Sequence, residues 1–106
     1  MSKSELMTLK TTLSHSGIPA ECANCFFPGG MKLCGESYNK NIITEYCKKA
    51  LSKGSELGIS VYVIGCGGAR NIDEGEDPEE CKKQFAEVLS IAGDVAKDTN
   101  SIIVIE

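Results

Sequence analysis

Two short β-branched runs, held apart by one long amphipathic stretch, constrain this chain more than anything else in it. Ile59–Ile64 reads Ile-Ser-Val-Tyr-Val-Ile and Ser101–Ile105 reads Ser-Ile-Ile-Val-Ile. Both have the β-branched and aromatic content of strands. Between them Cys81, Phe85, Val88, Leu89, Ala92, Val95 and Ala96 recur at helical spacing. A helix of that length returns the chain to the end of the sheet where it began, so the two strands must run parallel. The strands are almost continuously apolar, as expected when both faces of a sheet are covered.

The same alternation extends upstream. Leu6, Leu9 and Leu13 predict a helix over residues 4–15, stopped by Gly17-Ile18-Pro19. Residues 20–27 are short, apolar and rich in Cys and Phe, which predicts a strand ended by Pro28-Gly29-Gly30. Residues 28–38 read as a loop. A second helix over about 39–57 places Ile42, Ile43, Tyr46, Cys47, Ala50, Leu51 and Leu57 on one face, with Gly58 as its C-terminal cap. A polar, Gly-rich loop spans 65–76. Asp77 and Pro78 then supply the capping oxygen and first-turn proline of the last helix, to about Asp98. The order is α-β-α-β-α-β, an α/β class with three parallel strands. The 106 residues suffice for one domain and not two. Three parallel strands leave two unpaired edges and too few helices to cover both faces of an open sheet. The sequence also stops at Glu106, at the tip of a buried-type strand. The expectation is therefore a piece of a larger domain.

Composition narrows the partners. Net charge is −4 without a Lys/Arg cluster, so nothing offsets phosphate repulsion, and neither nucleic acid nor an anionic membrane is expected as a partner. The longest apolar run, Ile102–Ile105, is far too short to span a bilayer. Residues 1–5 lack the apolar stretch of a signal peptide. A cytoplasmic location follows as the expectation, with the six cysteines reduced. Cys47 and Cys81 fall on apolar helix faces, where a thiol acts as a small hydrophobe.

Four groups invite a chemical reading. Gly65-Cys66-Gly67-Gly68-Ala69-Arg70 follows a strand, but Arg70 takes the third glycine position of a dinucleotide fingerprint and a polar stretch delays the helix. A tight strand-to-helix turn, with Arg70 free to meet an anion or a sugar hydroxyl, fits better. Cys22 and Cys25, with Cys34, have no second close pair to complete a zinc site, and on a strand they would face opposite sides. His15, the sole histidine, sits near a helix C-terminus, where positive charge is favourable. Glu106 caps a predicted parallel strand, the place where α/β folds put active sites, although a solvated chain end would look the same. The acidic residues Glu74, Glu76, Asp77, Glu79 and Glu80 read as a solvated loop and helix start.

Taken together, Val63-Ile-Gly-Cys-Gly-Gly-Ala-Arg70, the Glu74-Gly75 turn, the helix with Gln84-Phe85 and Leu89, and Ile103-Val-Ile-Glu106 resemble the sugar phosphate isomerase/epimerase family. Asn24-Cys25-Phe26-Phe27-Pro28, Gly35 and Glu45-Tyr46 extend the likeness, which covers about residues 20–106. This is the xylose-isomerase-like TIM-barrel group, which includes tagatose and psicose epimerases, hydroxypyruvate isomerase and AP endonucleases. Cys66 and Asp73 depart from the Ser and Pro common in close relatives. The resemblance implies a partial barrel whose strands correspond to the third, fourth and fifth of eight, within a domain larger than residues 1–106. It implies a divalent ion (manganese, magnesium or cobalt, with zinc possible) bound by a Glu, an Asp, a His and a second Glu on successive strands. Glu106 matches the first of these, as ligand and proton-transfer group, and the others would lie on later strands. Asn24, Gly67 and Arg70 match strand-end contacts to a sugar or sugar phosphate. In that family the ion holds two adjacent sugar oxygens, and a carboxylate moves the proton on the neighbouring carbon. This chain alone is expected to be inactive and to bind no metal by itself. The rival readings are an autonomous α/β module that self-associates through its strand edges, and an AP-endonuclease-like nuclease, disfavoured by the acidic composition.

Overall fold

The computed structural model describes residues 2–65 and 67–106. The described elements are α1 (Lys3–Ser16), β1 (Cys22–Ala23), α2 (Lys40–Glu56), β2 (Val61–Ile64), α3 (Gly67–Arg70), α4 (Pro78–Asp98) and β3 (Ile102–Ile105). The strands form one parallel sheet in the order β1-β2-β3, so the chain advances one strand at each crossover. The mixed α/β class with three parallel strands is as expected.

The helix boundaries follow from local chemistry. Asn39 Oδ1 accepts from the Asn41 and Ile42 amides and starts α2. Asp77 Oδ1 accepts from the Glu79 amide, with Pro78 in the first turn of α4. Side-chain oxygens here satisfy amides that have no partner within the helix. Gly17 at φ 72° ends α1 and Gly58 at φ 89° follows α2, both in the left-handed region that glycine enters without steric cost.

Pairing register fixes which side chains share a face of the sheet. Val61 pairs with Ile102, Tyr62 with Ile103, Val63 with Val104 and Ile64 with Ile105. Tyr62 and Ile64 are buried and point toward α2 and α4, which pack side by side. The core there comprises Phe26, Phe27, Leu33, Ile43, Cys47, Leu51, Tyr62, Ile64, Ala69, Val88, Ala92 and Ala96. Gly54 lets α2 approach the sheet, because the Tyr62 phenol fills the space that a Cβ would need. On the opposite face Val61 and Val63 are half-buried, while Ile102 and Val104 are exposed.

Three local expectations are corrected. The first strand shrinks from 20–27 to Cys22–Ala23, because Asn24 Oδ1 takes the Cys25 amide and Cys25 turns to φ 52°. Phe26 and Phe27 then enter the core rather than alternate across a sheet. Residues 67–70, read as loop, form the short helix α3. Ile42 lies 56% exposed instead of facing the core. Of α1, only Leu6 is buried, and it lies outside the main core cluster. No helix of the described residues is long and apolar enough to cross a membrane.

Candidate functional site

Parallel strands direct all their C-terminal ends to one rim, and here that rim gathers the residues with chemical potential. β2 ends at Ile64 and leads through Gly65 to α3. β3 ends at Ile105, next to Glu106. The Glu106 amide donates to the Ile64 carbonyl at 3.2 Å, which extends the pairing to the rim. The Glu106 side chain lies over Gly65: a Cβ there would stand 2.7 Å from Glu106 Oε2 and push the carboxylate aside. The bare glycine thus makes room for the carboxylate across the strand ends.

Arg70, at the end of α3, reaches back into the same notch. Its Nη1 donates to the carbonyls of Gly65 and Glu106, each at 3.2 Å. Its guanidinium lies 4.7 Å from the centre of the Phe85 ring on α4. A planar cation stacked on an aromatic face and tied to two carbonyls has its orientation set before any ligand arrives. A guanidinium carries five N–H donors, so a further acceptor has donors left to meet. Gly67 opens α3, with free space where a Cβ would project. Gly68 passes Gly29 of the preceding loop so closely that an added Cβ would lie 3.5 Å from the Gly29 Cα.

Arg70, Glu106 and the glycine turn are therefore brought together, with Gly67 alongside. Asn24 stands apart. Its Oδ1 accepts from the Cys25 amide, and it lines an apolar groove beside α2 with Tyr46, Lys49 and Lys53. Cys66 lies outside the described residues.

The loops around the notch are bound to one another. Lys32 Nζ donates to the Asn71 carbonyl at 3.2 Å and pairs with Asp73 at 3.3 Å. Glu76 accepts from the Glu36 amide at 2.7 Å and the Asp73 amide at 3.0 Å. Gly35, at φ 90°, packs directly on that carboxylate and has no room for a Cβ. Gln84 Oε1 accepts from the Gly35 amide at 2.7 Å. Sequence reasoning placed Glu76 in a solvated acidic run and gave Gln84 no role. The signal available was Gly35, a lone glycine forty-one residues before Glu76, which names no partner by itself. Burial, then the neighbouring Cys81 thiol, then the nearby Glu76 carboxylate, push the Cys34 thiol up to about 11, against the opposing pull of Lys32.

Among the described residues, no three His, Cys, Asp or Glu side chains come together as a metal-ligand group. Glu106 offers one carboxylate, whereas a hard divalent cation takes about six oxygen ligands. The described residues do not by themselves make the site for the ion implied by the resemblance. Cys34 is buried against the Arg70 and Asn71 carbonyls, whereas Cys22 and Cys25 are exposed. The chain matches no family model, no curated protein and no solved structure.

Proposed function

We propose that this chain forms three consecutive strands of a sugar or sugar phosphate isomerase/epimerase barrel, and that its rim notch is the anion- and hydroxyl-binding part of that enzyme's site. The observation that carries the reading is the meeting of Arg70 and Glu106 over Gly65 at the C-terminal ends of two parallel strands. Barrel enzymes of parallel strands build their sites at that rim. Two further features support a partial barrel. The strands are in sequential order with their crossover helices together on one face, and the other face carries Val61, Val63, Ile102 and Val104, the branched side chains that fill barrel interiors. In this reading Arg70 receives a phosphate or hydroxyl oxygen, Gly67 lets the ligand approach the backbone, and Glu106 contributes a carboxylate beside the reacting carbons. The remaining ligands of the divalent ion come from later strands, so the chain alone is inactive.

The test is a titration of the isotopically labelled chain with ketose phosphates, followed by amide shifts. Shifts centred on Gly65, Gly67, Arg70 and Glu106 are expected, and Arg70→Met should weaken binding by roughly tenfold or more, the scale of a lost hydrogen bond to a charged group. Shifts scattered elsewhere, or none at millimolar ligand, overturn the reading.

A second reading, an α/β module that self-associates, draws on the exposure of Ile102, Val104 and Ile105 on and around the β3 edge, at 60%, 41% and 53%. Light scattering on a sizing column separates the two. A strictly monomeric, folded chain removes the second reading and leaves the first standing.

A further inference from the structure

We infer that Cys34 and Cys81 form a paired-thiol modification site, able to close as an intramolecular disulfide that staples the first rim loop to α4. The inference stands apart from the sugar reading, since it concerns only these thiols and the segments that carry them.

The pairing has a geometric cause. Cys34 sits in the loop before α2 and is 2% exposed, and Cys81 sits in the first turn of α4 and is 3% exposed. Gly35, next to Cys34, donates its amide to Gln84, one helical turn beyond Cys81. Residues three apart on a helix share a face, and Gly35, Cys81 and Gln84 line one recess, which sets Cys34, the residue before Gly35, beside Cys81. Glu76 secures the same segment by accepting from the Glu36 amide. The Cys34 sulfur lies 3.9 Å and 3.8 Å from the carbonyl oxygens of Arg70 and Asn71, so the pair borders the segment that carries the guanidinium. Cys47, the third buried thiol among the described residues, lies on α2 within the core and serves as packing.

The chemistry closes with a low-molecular-weight disulfide of the glutathione type as oxidant. One protein thiol loses its proton and attacks the small disulfide. Its S–S bond breaks, a mixed disulfide forms, and one small thiolate leaves. The second protein thiol, deprotonated in turn, attacks the protein sulfur of that mixed disulfide and releases the second small thiolate. The two cysteines are oxidised by two electrons, the small disulfide is reduced to two thiols, and the two protons end on those products. Burial holds the Cys34 thiol protonated at neutral pH, so closure through it is slow there and accelerates as pH rises, because the thiolate is the nucleophile.

The experiment uses the whole chain under native conditions with oxidised glutathione, followed by denaturation, alkylation of the remaining thiols and peptide mapping. The expected result is a 34–81 linked peptide, while the other four cysteines carry the alkyl label or glutathione. A linked peptide should persist in the Cys22→Ser/Cys25→Ser chain and vanish in Cys81→Ser. The oxidised chain should also melt roughly 5 °C or more above the reduced one, since the bond closes a long loop. Free Cys34 and Cys81 after native oxidation, or a link that forms only in denaturant, overturns the proposal.

Discussion

The two faces of the sheet are built from the same kinds of residue and have opposite fates. On one face Tyr62 and Ile64 are 2% and 0% exposed under α2 and α4. On the other, Val61 and Val63 are half-buried and Ile102 and Val104 exposed, an aliphatic stripe on the face away from α2 and α4. Side-chain type does not distinguish the faces; the covering layer does. Burial contributes about 25 cal/mol for each Å² of apolar surface removed from water. The covered face therefore carries the stability of the domain, while the open face offers area still to be buried.

That contrast yields its largest expected effect at Leu51, which is fully buried between α2 and the sheet. Leu51→Ala should cost about 2–5 kcal/mol in urea unfolding, through lost burial and the cavity left behind. A smaller change at an equally buried position tests the closeness of the packing. Gly54→Ala gains about 1 kcal/mol in helix propensity, yet should destabilise by about 1–3 kcal/mol because the new methyl meets the Tyr62 phenol. Adding Tyr62→Phe should recover part of that loss, since the hydroxyl is the nearest atom. The smallest effect belongs to the open face. Ile102→Thr should change stability by no more than about 0.5 kcal/mol. If it costs as much as Leu51→Ala, the open face is covered in solution and the contrast fails.

The three long helices were legible because their signals are local. Asp77 with Pro78, the apolar period through Val88 and Ala92, and Gly58 beyond α2 each act within a turn or two, and each feature sits where the sequence places it. The parallel sheet was legible because the connections leave no other geometry. The end of β1 was not. Phe26 and Phe27 have strand-like chemistry, but Phe26 meets the Tyr46 and Tyr62 rings edge-on and Phe27 packs tilted against Tyr46, and a tertiary contact outweighs local propensity. Arg70 and Glu106 stand out in the sequence as candidates, one in the segment after β2 and one just past β3. What joins them was not legible: Gly65 under the carboxylate, Phe85 under the guanidinium, and the ties from Glu76 and Gln84 are all distances between segments far apart in the sequence.

The ties among the rim loops have one more consequence. Segments that must be ordered when a ligand arrives subtract that entropy from the affinity. Here Lys32, Glu76 and Gln84 have already fixed the loops around Arg70 to one another. If the notch binds a ligand as proposed, it is preorganised, so a guest would meet a seat already set and divert little of its interaction energy into shaping it.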